Sequence, residues 1–226
     1  MSLTFPPLAR QAITSPPVVI IDFETTGGSP QQGGRVTEVG AVRIEEGCLT
    51  ERFESLLCTH TPIPPAIQSL TGITDAMVAA APPAAEVMEA LWHWLGPTPL
   101  VAHNAAFDAA FLDAQWRRLP RRRQQPFVCT LRLARRLMPE AKRHGLAHLA
   151  RVTPLPDGGG RHRALADATT TAHLWLHLLQ LLQERHGVAT PPWDGLQRLQ
   201  TTPRRALPRA LEELRAGAPT SICHRS

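Results

Sequence analysis

Val18-Val19-Ile20-Ile21-Asp22-Phe23-Glu24-Thr25-Thr26-Gly27 joins an apolar run to a pair of acids near the start of the chain. Four β-branched apolar residues followed at once by two carboxylates describe a buried strand that ends in a site. Side chains alternate along a strand, so Asp22 and Glu24 share a face, roughly 7 Å apart at the usual rise per residue. Two like charges that close want a cation between them, and hard oxygen ligands on a rigid strand suit Mg²⁺ or Mn²⁺. The plainer alternative is a strand end with solvated acids. Further carboxylates elsewhere in the chain decide between the two.

Working outward, Gly27 to Gly34 is turn-rich, and 36–45 alternates through Val36, Val42 and Ile44. Glu46-Gly47 marks a hairpin turn and 49–57 the returning strand, so the chain opens as a three-stranded antiparallel meander. Residues 66–70 form a helical turn, and Thr74 or Asp75 caps a stretch over 76–80. Pro83 opens an amphipathic helix through Val87, Leu91, Trp92 and Leu95 to Gly96. Residues 100–103 read as another buried strand, Asn104 as the N-cap of a helix through Phe111 and Trp116, and 127–129 as a short strand. Crossovers of this kind added to a meander give an α/β fold, a mixed sheet flanked by helices.

Thr130 is expected to cap a basic helix running to Leu137, and 145–152 to be a short helix. The Asp-Gly-Gly-Gly run at 157–160 reads as a mobile loop. A long helix follows from about Ala164 toward Gly187, with Leu165, Ala168, Ala172, Leu176, Leu179 and Leu182 at helical spacing. The expected organisation is an irregular arm over 1–17, one domain over 18–187 and a Pro/Arg-rich tail over 188–226 with one helical candidate at 206–215.

With 226 residues, 43% of them hydrophobic, the chain has room for one good-sized core without staples. Cys48, Cys58, Cys129 and Cys223 form no Cys-x-x-Cys pair, which argues for free thiols and against a disulfide framework or a zinc ribbon. His144 and His148 have a zinc-like i, i+4 spacing but no accompanying Glu. No apolar run reaches the length of a membrane span or of a signal h-region, so the expectation is a cytoplasmic protein that meets no membrane. Between Arg117 and Arg143 ten Lys or Arg face the single acid Glu140, a segment charge of +9. The whole chain carries +5, leaving −4 for the rest. A basic segment beside an acidic remainder suits a nucleic-acid binder, although a solvated face has the same composition.

Two further blocks complete a constellation. His103-Asn104-Ala105-Ala106-Phe107-Asp108 sets an acid in the first turn of a helix that follows a buried strand. His162-Arg163-Ala164-Leu165-Ala166-Asp167 adds a fourth acid. On one helix His162 and Asp167 would stand about 140° apart, so the histidine belongs to the loop and Asp167 to the helix.

The order Asp22/Glu24, Asp108, His162/Asp167 resembles the DEDDh family of 3′-to-5′ exonucleases, over about 18–185. Thr25-Thr26-Gly27, the Leu70-Thr71-Gly72-Ile73-Thr74 block and His103-Asn104 bring it nearest to the proofreading exonuclease subunits of bacterial replicative polymerases. Cys129 departs from the pattern, since many relatives carry Asp before the Thr. The resemblance implies a ribonuclease H-like fold with a five-stranded sheet and two-metal hydrolysis that releases nucleoside 5′-monophosphates. In that scheme Asp22, Glu24, Asp108 and Asp167 hold two Mg²⁺ or Mn²⁺ ions and His162 is the base. It also implies Thr25, Leu70, Ile73 and Phe107 around the terminal nucleotide, with Phe23, His103 and Asn104 as neighbours and the two phenylalanines as stacking candidates. Single-stranded DNA 3′ ends are the expected substrate; the C-terminal tail reads as disordered, and because proofreading relatives hold their polymerase through such segments, the resemblance leaves a polymerase subunit open as its partner. RNA trimming is the alternative within the class. A non-catalytic nucleic-acid adaptor is the alternative outside it, against which the five filled positions speak.

Overall fold

The computed structural model describes residues 16–153, 155–156 and 162–217. The opening stretch forms β1 (Val18–Thr25), followed by a 3₁₀ turn at Pro30–Gln32, β2 (Val36–Glu45) and β3 (Cys48–Leu56). Left-handed Glu46 and Gly47 (φ 50° and 77°) make the tight β2–β3 turn, so the predicted hairpin stands where it was read. Then come α1 (Pro65–Thr71), α2 (Asp75–Ala79), α3 (Ala84–Leu95), β4 (Leu100–Ala102), α4 (Ala105–Trp116), β5 (Phe127–Cys129) and α5 (Thr130–Leu137). The chain closes with α6 (Leu146–Val152), α7 (Ala164–His186), α8 (Trp193–Leu199) and α9 (Leu207–Gly217).

The sheet order is β3-β2-β1-β4-β5. β1 pairs antiparallel with β2 and parallel with β4, so the central strand joins the meander to the crossovers. Both faces of β1 are covered, which explains its unbroken apolar run. Val18 and Ile20 pack with α5, α7, α8 and α9, whereas Val19, Ile21 and Phe23 pack with α3 and α4. A register shift between Glu24 and Thr25 breaks the simple alternation of β2. Val36 therefore joins the α3/α4 core while Val42 and Ile44 face α7, contrary to the shared face expected for the three.

Two expected caps are corrected. Asn104 precedes α4 in a left-handed conformation (φ 71°) and its side chain makes no capping bond. Thr130 is the first residue of α5 and not its cap; its hydroxyl donates to Ala102 O and meets His103 Nδ1 at 2.9 Å, tying β4 to the start of α5. The segment from 188 is also corrected. Residues 188–217 are not a loose tail, because Val188, Leu196, Leu199, Leu211 and Leu214 are buried in the α7-side core. Gln200 accepts from Cys129 N at 2.7 Å and donates to Phe127 O, covering the open edge of β5. The arm over 1–15, the loop over 157–160 and residues 218–226 lie outside the described residues. Cys48, Cys58 and Cys129 are free thiols. Among the described residues no helix is long and apolar enough to cross a membrane.

Candidate active site

In the antiparallel register Asp22 lies opposite Gly40, and Glu24 opposite Glu38. α7 begins on Gly40: a Cβ there would run into the backbone of Ala164 and Leu165. Glycine thus lets the first turn of α7, with Asp167, close onto the acid-bearing face of β1. His162 precedes that turn with φ 57°, a conformation that non-glycine residues seldom hold without support. The result is a cluster in which ligand atoms of Glu24, His162 and Asp167 all lie within 4.8 Å of one another.

The support comes from residues that sequence reasoning passed over. Glu38 is fully buried, and its carboxylate accepts from Ala164 N at 2.8 Å and from Arg163 Nε at 3.0 and 3.1 Å. It caps α7 from across the sheet, giving the helix N-terminus the acceptor that its own Arg163 cap position lacks. A signal was present in the sequence: Glu38 sits two residues before Gly40, between Val36 and the apolar run Val39 to Val42, where an acid needs a partner.

Asp108 enters from the opposite side. It stands in the first turn of α4, directly beyond β4, and is 2% exposed. Burial raises its pKa to about 8 and the charge of Glu24 adds to this, against backbone N–H groups of Asp108 and Phe23. Burial likewise raises Asp22 well above the ordinary carboxylate range, reinforced by Asp108, Asp167, Glu24 and Glu38. Glu24 is pushed to about 7 by burial, then by Asp167 and Glu38, with Arg163 opposing. Each acid is therefore penalised by burial and by its neighbours, which is the electrostatics of a site that fits divalent cations. The oxygen-rich donor set with one histidine suits the same ions.

The residues named for the substrate divide. Leu70 is 55% exposed on α1, and Phe107 is half-buried with its ring centroid 4.8 Å from that of Phe111. Asn104 is exposed. Thr25 is nearly buried and its hydroxyl donates to Gly27 O. Ile73 is fully buried with Ile63 and Val78, and Phe23 is 3% exposed in the α3/α4 core. Both side chains pack in apolar clusters of the fold. His103 is a tie between β4 and α5; burial lowers its pKa to about 4, so the ring is neutral. His144 hydrogen-bonds Met138 O through Nε2, a local contact rather than half of a zinc pair.

A family model described as Exonuclease (RNase_T) matches residues 19–175. The DNA polymerase III epsilon subunit of Aquifex aeolicus is 33% identical over 183 residues, which is 80% of this chain and 89% of that protein. The PolC-type DNA polymerase III of Oceanobacillus iheyensis is 39% identical over 168 residues, 74% of this chain but only 12% of that much longer protein. Among solved structures, exonuclease X in complex with 5′ overhanging duplex DNA superposes with a TM-score of 0.60 at 31% identity, over 72% of this chain and 91% of that chain. The nuclease domain of 3′hExo, a DEDDh family member bound to rAMP, has a TM-score of 0.60 at 22% identity, over 73% and 92% of the two chains, a likeness of fold. The five-stranded mixed sheet with helices on both faces is thus ribonuclease H-like.

Proposed function

The chain belongs to the DEDDh 3′-to-5′ exonuclease family, and on that premise we propose that it hydrolyses DNA from the 3′ end with two divalent cations, as a proofreading partner of a replicative polymerase. The observation that carries the metal reading is the convergence of Glu24, His162 and Asp167 within 4.8 Å beside half-buried Asp22 and buried Asp108. Asp22, Glu24, Asp108 and Asp167 are the residues that would hold the cations, with Glu24 and Asp167 on one side of Asp22 and Asp108 on the other. Bound there, Mg²⁺ or Mn²⁺ supplies Lewis-acid stabilisation of the charge that develops on the phosphate. His162, held beside Glu24 and Asp167, takes the proton of the attacking water through a ring nitrogen. Attack in line displaces the 3′ oxygen of the penultimate nucleotide and releases a nucleoside 5′-monophosphate.

Exposed Leu70 and half-buried Phe107 offer apolar surface to the terminal base, with Thr25 and Asn104 near the same strand ends. The DNA and polymerase parts of the reading draw on the epsilon and PolC relatives. The DNA part is tested with matched 5′-labelled single strands of DNA and RNA in Mg²⁺, using Asp108→Ala protein as the control. A ladder shortening from the 3′ end on DNA and absent with the variant is expected. Faster shortening of the RNA strand would overturn the substrate assignment.

A further inference from the structure

Beside the end of β1, on its α3/α4 side, lies a half-open cavity of about 590 Å³ that the hydrolytic site does not use. Its wall mixes apolar side chains with two cations: Arg35 and Arg118 line it together with His60, Thr59 and Gln115, and no acid does. Arg35 is fixed there, because its backbone pairs with Thr26 two residues past Glu24 and its Nη1 donates to Gly33 O and Gly34 O. Arg118 forms no ion pair among the described residues, and burial together with the charge of Arg35 lowers its pKa. Both guanidiniums line one cavity, where a phosphate oxygen can accept from either of them.

Gln115 adds a neutral donor to the same wall: it is 7% exposed and lines the cavity, so its carboxamide is available to a group that enters there. The first turn of α3 also forms part of the wall at Pro83 and Ala84, with no side-chain cap on its N–H groups.

We propose that this cavity is a binding site for a phosphate group, separate from the carboxylate cluster, with Arg35 and Arg118 as its charged ligands and Gln115 as its buried donor. The phosphate is either a free anion or one belonging to the backbone of a bound strand, and the same chemistry serves both. The site itself does not depend on the nuclease reading, so binding and not turnover is measured. Melting of the whole protein in chelator, with inorganic phosphate against chloride at matched ionic strength, reads the free anion. The melting temperature is expected to rise with phosphate in the wild type and in Asp108→Ala, and not in Arg118→Gln or in the charge-neutral Gln115→Leu. A salt series of single-stranded DNA binding by Asp108→Ala protein reads the strand. Adding Arg118→Gln lowers the slope of log affinity against log salt by about 0.7 if a backbone phosphate sits there. A phosphate response lost in both cavity variants with an unchanged slope assigns the site to a free anion, and a lowered slope assigns it to the strand. A phosphate response that persists in Arg118→Gln and Gln115→Leu, or no response in the wild type together with an unchanged slope, overturns the proposal.

Discussion

A proton on Glu24 stabilises the protein when no cation is bound. Its pKa in the fold is about 7 against an ordinary 4.5, so the folded state holds the proton more tightly than the unfolded chain does. That stability is full below about pH 4.5 and is lost as pH rises through about 7; Asp108, raised to about 8, extends the loss upward. Melting in chelator should therefore fall across this window and recover on adding Mg²⁺ above it, and a flat profile would remove the electrostatic account of the cluster. Glu38 acts on the same charges from behind. Without it, Arg163 is free to turn wholly to Glu24, whose pKa it already lowers, and so to compete with a cation. Glu38→Ala is predicted to raise the Mg²⁺ concentration for half-maximal turnover by about 10-fold, with Glu38→Gln, which keeps a carbonyl for Ala164 N, in between. An unchanged Mg²⁺ dependence in both variants would make Glu38 a purely structural residue.

At the scale of elements, the site depends on how closely α7 approaches β2. Gly40→Ala places a methyl group where the backbone of Ala164 and Leu165 now lies, and overpacking of this kind costs about 1–3 kcal/mol. The strain falls on the turn that carries His162 and Asp167, so turnover should drop by more than the loss of stability explains, measured as rate and melting temperature on one preparation. Wild-type turnover would show that α7 tolerates the shift. The strands and the long helix were legible in the sequence, as were Glu24, His162 and Asp167, whose ligand atoms converge, because alternation, helical spacing and acids at strand ends each leave a local pattern. The Glu38 cap was not, since its partners Arg163 and Ala164 lie 125 and 126 residues away and only register places them together. The caps at Asn104 and Thr130 differ from the expectation because Asn104 takes a left-handed backbone before α4 and the Thr130 hydroxyl serves the β4–α5 junction, where tertiary contacts override local capping preference.

Across the whole molecule, the sheet is a platform whose two faces carry different duties. The α7 face closes the acid cluster and is in turn closed by α8 and α9, which composition alone marked as a tail because Pro and Arg outnumber the few leucines that anchor it. Each of Leu196, Leu199, Leu211 and Leu214 contributes about 1.5–3 kcal/mol by leaving water. Truncation after Gly187 should therefore lower the melting temperature sharply, and a truncated chain that melts with the full one would return 188–217 to the status of a tail. The account as a whole rests on cations among Asp22, Glu24, Asp108 and Asp167. The direct measurement is shortening of a 5′-labelled DNA strand by protein stripped with chelator, before and after Mg²⁺ is restored. The account predicts an intact strand before and a ladder from the 3′ end after, absent in Asp167→Ala; equal shortening in chelator would contradict it.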